Sequence, residues 1–230
     1  IITLHDIICL DFPKYFTFSH IFPRLLLFFQ SAKMADILLT VSQYSKQRIS
    51  KKFRINPSKI VITPNGYNPD TKTKPKKIKT YNKNFILYVS RIENRKNHLS
   101  LVKAYKNLKL YKTHNLVFVG TIDDKIIELA NLINEINENK INIVHYENIE
   151  YENLIYLYKN AKLFIYPSIA EGFGIPPIEA IFYNCKTISS NSTAMKEFSF
   201  LKNFSFDPTK ISEIEYKIRE VLNINKDDYP

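Results

Sequence analysis

The sequence predicts an α/β protein in which helices pack on doubly wound, Rossmann-like parallel sheets. Apolar runs of strand length alternate with amphipathic segments of helix length along most of the chain. The chain has only four glycines, and each falls where a predicted strand meets a turn. Because 45% of the 230 residues are hydrophobic, the chain also has enough apolar material to pack a core.

The N-terminal part of the chain is predicted to hold three strands and two helices. The predicted strands are Ile1–Leu4, Ile37–Val41 and Ile60–Thr63. The predicted helices are Phe22–Lys33 and a second one that Ser42 caps and that runs to about Phe53. The turn signal Pro64-Asn65-Gly66 ends the last of these strands.

A lysine-rich segment separates this part from the rest of the chain. Six lysines lie between Lys72 and Lys83, Pro75 interrupts the segment, and apolar residues nearly vanish. We therefore predict a partial N-terminal domain at 1–70, a solvated linker at 71–84 and a C-terminal domain at 85–230. The alternative interpretation of the lysines is a polybasic patch that contacts an anionic membrane surface.

The C-terminal part is predicted to alternate five strands with five helices. The strands are Phe85–Val89, Leu116–Val119, Ile141–His145, Leu163–Tyr166 and Thr187–Ser189. The helices are Leu99–Leu110, Asp124–Asn137, Glu152–Lys159, Pro177–Tyr183 and Ser212–Leu222. In such a domain the ligand is expected at the carboxyl ends of the strands.

Composition narrows the function classes. Two cysteines are too few for a disulfide framework, so we predict a cytoplasmic protein, with or without peripheral contact at the inner face of the cell membrane. The chain begins with Ile1 rather than Met, which indicates that a longer protein has lost its N-terminus. The formal net charge of +11 suits anionic lipid, nucleic acid or phosphorylated small molecules, or reflects a compositional bias that includes lysine.

Two glutamates flank a turn that contains glycine. Gly172 and Gly174 follow the strand Leu163–Tyr166 and precede a helix whose N-terminal amides are suited to an anion or a row of hydroxyls. Glu171 and Glu179 lie eight positions apart across this turn, and ionised carboxylates accept paired hydrogen bonds from the diols of sugars and ribose. The alternative is that Glu171 caps the helix and Glu179 is merely exposed.

This segment resembles a known motif. The run EGFGIPPIE, from Glu171 to Glu179, resembles the E-x7-E motif of retaining glycosyltransferases of family 4 (glycosyl transferases group 1), and Tyr166-Pro167-Ser168 resembles the family's lead-in. The resemblance implies a GT-B fold, with a Rossmann-like donor domain plus part of a second Rossmann-like domain. It also implies a nucleotide-diphosphate sugar donor, with Glu171 on the sugar and Glu179 on the ribose. The remaining implied donor contacts are the loop residues Gly172, Phe173, Gly174 and Ile175.

A basic segment follows the strand Phe85–Val89. The run SRIENRKN, from Ser90 to Asn97, resembles the family segment in which an Arg, and a Lys about five residues later, bind the pyrophosphate. That resemblance selects Arg91 and Lys96, with Arg95 ranked third because it would point elsewhere. Two fixed cations suit the charge that develops on a leaving nucleotide diphosphate. The alternative is an exposed basic turn.

His5 follows the first predicted strand, Ile1–Leu4, and precedes Asp6. A lone histidine at a strand end is more often structural, but His-Asp after this strand resembles the family's N-terminal domain, in which the histidine faces the donor sugar. The resemblance implies reaction on the same face of the sugar, with the leaving phosphate helping to deprotonate the acceptor, so we predict no separate nucleophile. The predicted catalytic residues are His5, Arg91, Lys96 and Glu171.

The sequence contains no Asp-x-Asp motif, and its histidines are scattered. We therefore predict metal-independent chemistry with no cofactor beyond the donor substrate. Two features depart from the family. Its members usually begin with about 90–100 further residues, which carry a glycine-rich loop. In addition, Glu147 stands where the family often has Gly, so the base of the nucleotide is not predicted.

The predicted function is transfer of a hexose, with mannose favoured, onto a glycan or lipid-linked acceptor in surface polysaccharide biosynthesis. Mannose is favoured because His5-Asp6 and Arg95-Lys96-Asn97 resemble bacterial mannosyltransferases. The first alternative is a nucleotide-sugar-binding fragment without turnover. The second is nucleic-acid binding, which rests on charge alone, since the sequence has no basic-helix, RNP-like or zinc-finger pattern; we predict no nucleic-acid partner.

Overall fold

A computed structural model of the chain describes residues 1–69, 71–80, 84–123, 126–138, 140, 142–225 and 228–229. The chain divides by its contacts into two compact units. Unit 1 consists of Ile1–Gly66, Ala170–Gly174 and Ser192–Ser199. Unit 2 consists of Tyr67–Ile169, Ile175–Asn191 and Phe200–Pro230.

Unit 1 contains a three-stranded parallel sheet. Its strands are β1 (Ile2–Thr3), β2 (Leu38–Thr40) and β3 (Ile60–Ile62), in the order β1-β2-β3. Its helices are α1 (Ile8–Asp11), α2 (Phe18–Met34) and α3 (Gln43–Phe53). The core of unit 1 is formed by buried apolar side chains from the sheet, the helices and the turns between them, among them Ile7, Leu38, Ile49, Phe53 and Ile60.

Unit 2 contains a six-stranded parallel sheet. Its strands are β4 (Phe85–Val89), β5 (Asn115–Val119), β6 (Ile143–Tyr146), β7 (Leu163–Tyr166), β8 (Thr187–Ser190) and β9 (Ser205–Phe206). They lie in the order β6-β5-β4-β7-β8-β9, which is 3-2-1-4-5-6 when the strands are counted within the unit. The order reverses between the hydrogen-bonded neighbours β4 and β7. The carboxyl ends of these two strands therefore form the topological switch point, where open α/β sheets bind their ligands.

The central strands of this sheet are apolar along almost their whole length. Nearly every side chain of β4, β5 and β7 is buried, as in parallel strands that are covered on both faces. The helices of unit 2 are α4 (His98–Asn107), α5 (Ile127–Asn137), α6 (Tyr151–Asn160), α7 (Ile175–Phe182) and α8 (Ile211–Asn223). Helix α8 is amphipathic, since it buries Ile214, Ile218 and Val221 and exposes Tyr216.

The predicted fold class is confirmed, and β4 and β7 have the predicted bounds. Ser42 caps α3 as predicted, because its side chain accepts a hydrogen bond from the Ser45 amide at 3.0 Å. Helix α2 begins about one turn before the predicted Phe22. Pro23 therefore lies inside the helix, where it has no N–H to donate to the Ser19 carbonyl.

Several short elements have no counterpart among the predictions. They include α1, β9 and the 3-10 helices Pro13–Tyr15, Pro57–Lys59, Asn94–Lys96, Thr193–Glu197 and Ser199–Phe204. Each is too short to show a periodic pattern of apolar residues. Asp124 and Ile141, at which the sequence predicts a helix and a strand to begin, lie outside the described residues.

The boundary between the units falls after Gly66, whereas the sequence predicts it after position 70. Tyr67 belongs to unit 2 because its ring packs against Phe182, with 5.5 Å between the ring centres. Its hydroxyl lies 2.9 Å from the Tyr151 hydroxyl and 3.2 Å from the Tyr183 hydroxyl. The contacts of 170–174 and 192–199 assign these segments to unit 1, although they lie within the predicted domain 85–230.

The described part of the lysine-rich segment is hydrogen-bonded to unit 2. The Lys76 amide donates to the Glu152 carbonyl, and the Lys76 ammonium pairs with the Glu152 carboxylate, each at 3.0 Å. The Asn153 side chain donates to the Lys76 carbonyl at 2.8 Å, and the Tyr146 hydroxyl donates to the Lys79 carbonyl. Composition predicts the polarity of this segment but not these partners. The predicted linker residues 81–83 lie outside the described ranges.

Helix α2 exposes several apolar side chains. Its exposed members are Phe18, Phe22, Leu25, Leu26, Leu27, Phe29 and Met34. Even so, no helix within the described ranges combines the length and the hydrophobicity that crossing a bilayer requires.

Candidate functional site

Arg91 lies just after β4, at the switch point of the unit 2 sheet. Its side chain is 58% exposed, and its guanidinium pairs with the carboxylates of Glu93 at 3.0 Å and Asp123 at 2.8 Å. The two carboxylates hold the guanidinium at the carboxyl edge of the sheet. A phosphate that binds Arg91 would replace these carboxylates as the acceptor of the hydrogen bonds that the guanidinium donates.

Lys96 is far less accessible than Arg91, since the residue is only 8% exposed. Its ammonium lies 3.2 Å from the hydroxyl of Tyr166, the last residue of β7, and 5.5 Å from the centre of that ring. The Tyr88 hydroxyl donates to the Lys96 carbonyl at 2.7 Å. Contacts from both β4 and β7 therefore fix this cation where the two strands end.

Glu93 links the two arginines of the basic segment. Its carboxylate pairs with Arg91 and also with Arg95, whose Nε lies 2.8 Å away and whose side chain is mostly buried. Arg95 is ranked behind Arg91 and Lys96 in the prediction from sequence, and Glu93 is not among the predicted site residues. Arg91 and Glu93 are alternate residues of an extended segment and can point to the same side, whereas Arg95 lies in the 3-10 helix Asn94–Lys96, and the fold brings it to Glu93.

Glu179 lies one turn into α7, the helix that follows β7. The Tyr158 hydroxyl donates a hydrogen bond to its Oε2 at 2.7 Å. Burial raises the pKa of the Glu179 carboxyl above its ordinary value, and the hydrogen bond from Tyr158 acts in the opposite direction. Tyr158 itself is fully buried on α6, and burial raises the pKa of its phenol well above 10. Sequence analysis does not single out Tyr158.

Two prolines occupy the start of α7. Pro176 and Pro177 are its second and third residues. The first four amides of a helix have no partner within it, so two residues without N–H cost the helix no hydrogen bond here. The two prolines reduce the number of backbone N–H groups that the start of α7 can offer a ligand. Of its first four residues, Ile175 and Ile178 have an N–H group.

In unit 1, the glycine turn is closely packed. A Cβ on Gly172 would lie 2.2 Å from the Asp6 carboxylate, and a Cβ on Gly174 would lie 2.4 Å from the Met195 sulfur. Gly174 also has a φ of +105°, which side chains rarely allow. Both positions therefore require glycine.

Glu171 begins this turn and is 8% exposed. Its amide donates to the Thr193 hydroxyl at 2.9 Å, and its carbonyl accepts from the Ala194 amide at 3.4 Å. Thr193 has a φ of +50°, a strained conformation for a β-branched residue. The ring of Phe173 packs edge-on against Phe198, with 5.6 Å between centres.

His5 and Asp6 follow β1 in unit 1. The His5 side chain is exposed, and its carbonyl accepts from the Thr40 hydroxyl at 2.8 Å. Asp6 Oδ1 accepts from the Ile8 amide at 3.0 Å, and the carboxylate packs against Gly172. Asp6, which the sequence analysis notes only beside His5, is thus the residue of the pair that packs against the glycine turn.

The predicted site residues are distributed over the two units. His5 and the residues from Glu171 to Gly174 belong to unit 1, whereas Arg91, Lys96, Ile175 and Glu179 belong to unit 2. Among the residues that the structure describes, no three His, Cys, Asp or Glu side chains come together as potential metal ligands. Independence from metal stays a prediction.

Known proteins resemble this chain over most of its length. Residues 70–228 match the sequence model of a family described as glycosyl transferases group 1. The O-antigen chain mannosyltransferase RfbU of Salmonella typhimurium is 31% identical over 198 residues, which cover 85% of this chain and 53% of that protein. The O-antigen chain mannosyltransferase B of Escherichia coli is 28% identical over 233 residues, which cover 96% of this chain and 60% of that protein. The chain thus spans little more than half the length of these relatives.

Solved structures share its fold. Sucrose-phosphate synthase from Thermosynechococcus elongatus superimposes with a TM-score of 0.76 at 18% identity, covering 99% of this chain and 59% of that one. At this identity the likeness concerns the fold alone, and that fold is GT-B.

Proposed function

Because the chain belongs to the glycosyl transferases group 1 family, we propose that it takes part in moving a hexose from a nucleotide-diphosphate sugar onto a glycan or lipid-linked acceptor. The proposed hexose is mannose, since the two relatives quoted above are O-antigen chain mannosyltransferases. Surface polysaccharide biosynthesis is the corresponding process. The proposed reaction retains the configuration of the sugar, as the resemblance of the segment Glu171 to Glu179 implies.

One observation carries the proposal: candidate ligands for a nucleotide diphosphate follow the two strands at the switch point of the unit 2 sheet. Arg91 and Lys96 follow β4, and Glu179 lies on the helix that follows β7. Cations bind phosphate oxygens, and a carboxylate accepts hydrogen bonds from a diol. A nucleotide diphosphate presents both groups.

Each of these residues has a proposed role. Arg91 and Lys96 bind the pyrophosphate and stabilise the charge that develops on it as its bond to the sugar breaks. Glu179 accepts hydrogen bonds from the ribose hydroxyls. The leaving phosphate takes the proton of the acceptor hydroxyl, so the proposal needs neither an enzymic nucleophile nor a metal ion.

The residues of unit 1 receive their roles from the family resemblance alone. His5 and Glu171 contact the donor sugar. The loop amides of Gly172, Phe173 and Gly174, with that of Ile175 in unit 2, contact sugar and phosphate.

Binding of nucleotide diphosphates tests the donor assignment. GDP, UDP and ADP are screened by thermal shift, and the affinity of the best is measured by calorimetry. We expect Arg91→Ala and Glu179→Ala each to weaken binding about tenfold or more, since a hydrogen bond to a charged group contributes about 1.5–3 kcal/mol. Arg219→Ala, at an exposed arginine of α8, is the matched control and should keep the wild-type affinity. If none of the three nucleotides binds the wild-type chain, the donor assignment is wrong.

A turnover assay separates the proposed transferase from a fragment that only binds the donor. Release of nucleoside diphosphate from the nucleotide sugar, with and without acceptor glycan, is measured on the same preparation. Binding without release would favour the binding fragment.

Peripheral contact with an anionic membrane stays a prediction, which vesicles that contain anionic lipid would test in a sedimentation assay.

A further inference from the structure

Tyr158 is held rigidly beside Glu179 in unit 2. Its ring stacks on Tyr183, with 5.8 Å between centres and 18° between planes, and lies 5.6 Å from the ring of Phe164. Tyr158 is only 1% exposed, so its hydroxyl cannot rotate to donate a hydrogen bond to solvent water. That hydroxyl donates to Glu179 Oε2 at 2.7 Å.

The hydrogen bond makes the two oxygens of the Glu179 carboxylate inequivalent, because only Oε2 accepts from Tyr158. A phenol can donate one hydrogen bond, and Tyr158 donates it to Oε2. Among the residues that the structure describes, Glu179 Oε1 accepts no side-chain or backbone hydrogen bond, and the Glu179 residue is only half-buried. Oε1 is therefore the oxygen available to a ligand.

We propose that Tyr158 is a positioning residue for nucleotide binding: it fixes the orientation of the Glu179 carboxylate, so that Oε1 accepts hydrogen bonds from the ribose diol. This inference rests on the proposed function, in which Glu179 contacts the ribose. Without the phenol, the terminal torsion of Glu179 is broad and the carboxylate samples orientations that do not meet the diol. Fixing it in advance lowers the cost of ordering it when the ligand binds.

Tyr158 also acts on the charge of the carboxylate. Burial raises the pKa of Glu179, and the donated hydrogen bond lowers it. Removing the hydroxyl therefore raises this pKa further. Loss of nucleotide binding on acidification should then begin at a higher pH in a variant without the hydroxyl than in the wild-type chain.

The test compares nucleotides with and without the ribose diol. Affinities for GDP, UDP or ADP, whichever binds, and for its 2′,3′-dideoxy counterpart are measured in Tyr158→Phe. We expect the ribonucleotide to bind about tenfold more weakly than to wild type, as for a lost hydrogen bond to a charged group. Binding of the dideoxy nucleotide should change by less than about twofold, because it lacks the groups that Oε1 contacts.

Tyr105→Phe is the matched control. Tyr105 is a second fully buried tyrosine of unit 2, and its hydroxyl donates to the His114 carbonyl at 2.6 Å. Its loss should leave both affinities unchanged, whatever it does to stability. If Tyr158→Phe weakens both nucleotides equally, or neither, Tyr158 does not position Glu179 for the ribose.

Failure of the inference is distinguishable from failure of the proposed function. If the wild-type chain binds no nucleotide, or Glu179→Gln leaves the preference for the ribonucleotide intact, the proposed role of Glu179 is wrong and the inference fails with it. If Glu179→Gln abolishes the preference and Tyr158→Phe keeps it, only the inference is wrong.

Should Tyr158→Phe not fold, a crystal structure of the wild-type chain with the ribonucleotide decides. We expect Oε2 on Tyr158 and Oε1 on the ribose, and a carboxylate turned away from Tyr158 overturns the inference.

Discussion

His98, the first residue of α4, is a histidine that the fold holds without charge. Its side chain is 0% exposed, and its ring lies 4.4 Å from that of Tyr88 and 5.0 Å from that of Phe118, centre to centre. Neither ring nitrogen has a hydrogen-bond partner among the described residues. Burial, with smaller effects from Lys96 and His145, lowers the pKa of His98 from 6.5 to about 3.

This pKa predicts how stability depends on pH. Below pH 6.5 the unfolded chain binds a proton at His98 and the folded chain does not, until the pH nears 3. The contribution of His98 to stability is therefore lost as the pH falls through this window, by up to about 1.4 kcal/mol per pH unit. In His98→Phe this loss should vanish, and the variant should gain about 2 kcal/mol relative to wild type between pH 7 and pH 5.

Denaturant unfolding of both proteins at pH 7 and pH 5 measures this difference. His20→Phe, at an exposed histidine, is the control and should follow the wild type at both pH values. A difference between His98→Phe and wild type that is the same at pH 7 and pH 5 would contradict a neutral, buried His98.

At the scale of single residues, the sequence supplies candidates for the chemistry but not the contacts that hold their side chains. Arg91, Lys96 and Glu179 could be named as candidates because each lies in a short continuous segment that resembles a motif of the family. The bond from Tyr158 to Glu179 joins residues 21 positions apart on different helices, and only the fold brings them together. The packing of Asp6 against Gly172 escaped prediction for the same reason.

Among the elements, α3 has two sources of capping at its N-terminus. Ser42 accepts from the Ser45 amide, and the carboxylate of Glu197 accepts from the amides of Gln43 at 2.9 Å and Tyr44 at 2.6 Å. A negative charge at this end also interacts favourably with the helix dipole. Three of the amides that an isolated helix leaves without a partner are satisfied in this way.

Removing the second cap should destabilise unit 1. We expect Glu197→Ala to lower the free energy of unfolding by about 1 kcal/mol, the usual cost of losing a capping side chain. Denaturant titration followed by circular dichroism measures it. Glu135→Ala removes an exposed carboxylate that pairs with Lys106 at 2.6 Å and lies away from the N-terminus of its helix, and should change stability less. Equal effects of the two substitutions would argue against a capping role for Glu197.

Helix and strand bounds were predictable where local chemistry sets them and not where tertiary packing does. Ser42 begins α3 because a capping side chain acts within four residues of itself. Helix α2 instead begins at Phe18, before Pro23, and its first turn packs Ile21 against the core of unit 1. Propensity alone favours a start at Pro23, and the structure overrides it.

On the scale of the whole chain, the net charge of +11 is the feature that nucleic-acid binding would need. Ion pairs such as Lys76 with Glu152 and Lys106 with Glu135 do not change this net charge, but they place acidic groups among the lysines. The pairing of Arg91 with Asp123 likewise keeps an acidic group beside the cation. Acidic groups interspersed in this way interrupt a continuous positive surface, which an extended polyanion would follow.

The dependence of affinity on salt concentration distinguishes binding of a nucleotide diphosphate from binding of nucleic acid. Binding of the nucleotide diphosphate should weaken less than about tenfold between 50 and 200 mM salt, because few ionic contacts are made. Binding to duplex DNA of random sequence, where present, should fall about a thousandfold or more over the same range. Both are measured by fluorescence anisotropy on the wild-type chain. Tight DNA binding that survives 200 mM salt would revive nucleic-acid binding as the function.

The division into units was predictable only in outline. The shift in composition after position 70 predicts a boundary close to the observed one after Gly66, but Tyr67 is assigned to unit 2 by ring contacts with Phe182 and Tyr183 that no local pattern reveals. The assignment of 170–174 and 192–199 to unit 1 depends on contacts such as that of Glu171 with Thr193. Pairings of this kind are decided by packing, and a single sequence does not record them.

The two prolines of α7 also act on the unfolded chain. Each fixes one φ angle near −65° whether or not the protein is folded, so the turn from Gly174 into the helix has fewer conformations to lose. Pro176 and Pro177 stand immediately before the turn of helix that carries Glu179. Part of the entropy cost of presenting that carboxylate is thus removed by covalent structure before any ligand arrives. A nucleotide that binds there meets a backbone whose local order does not depend on the ligand.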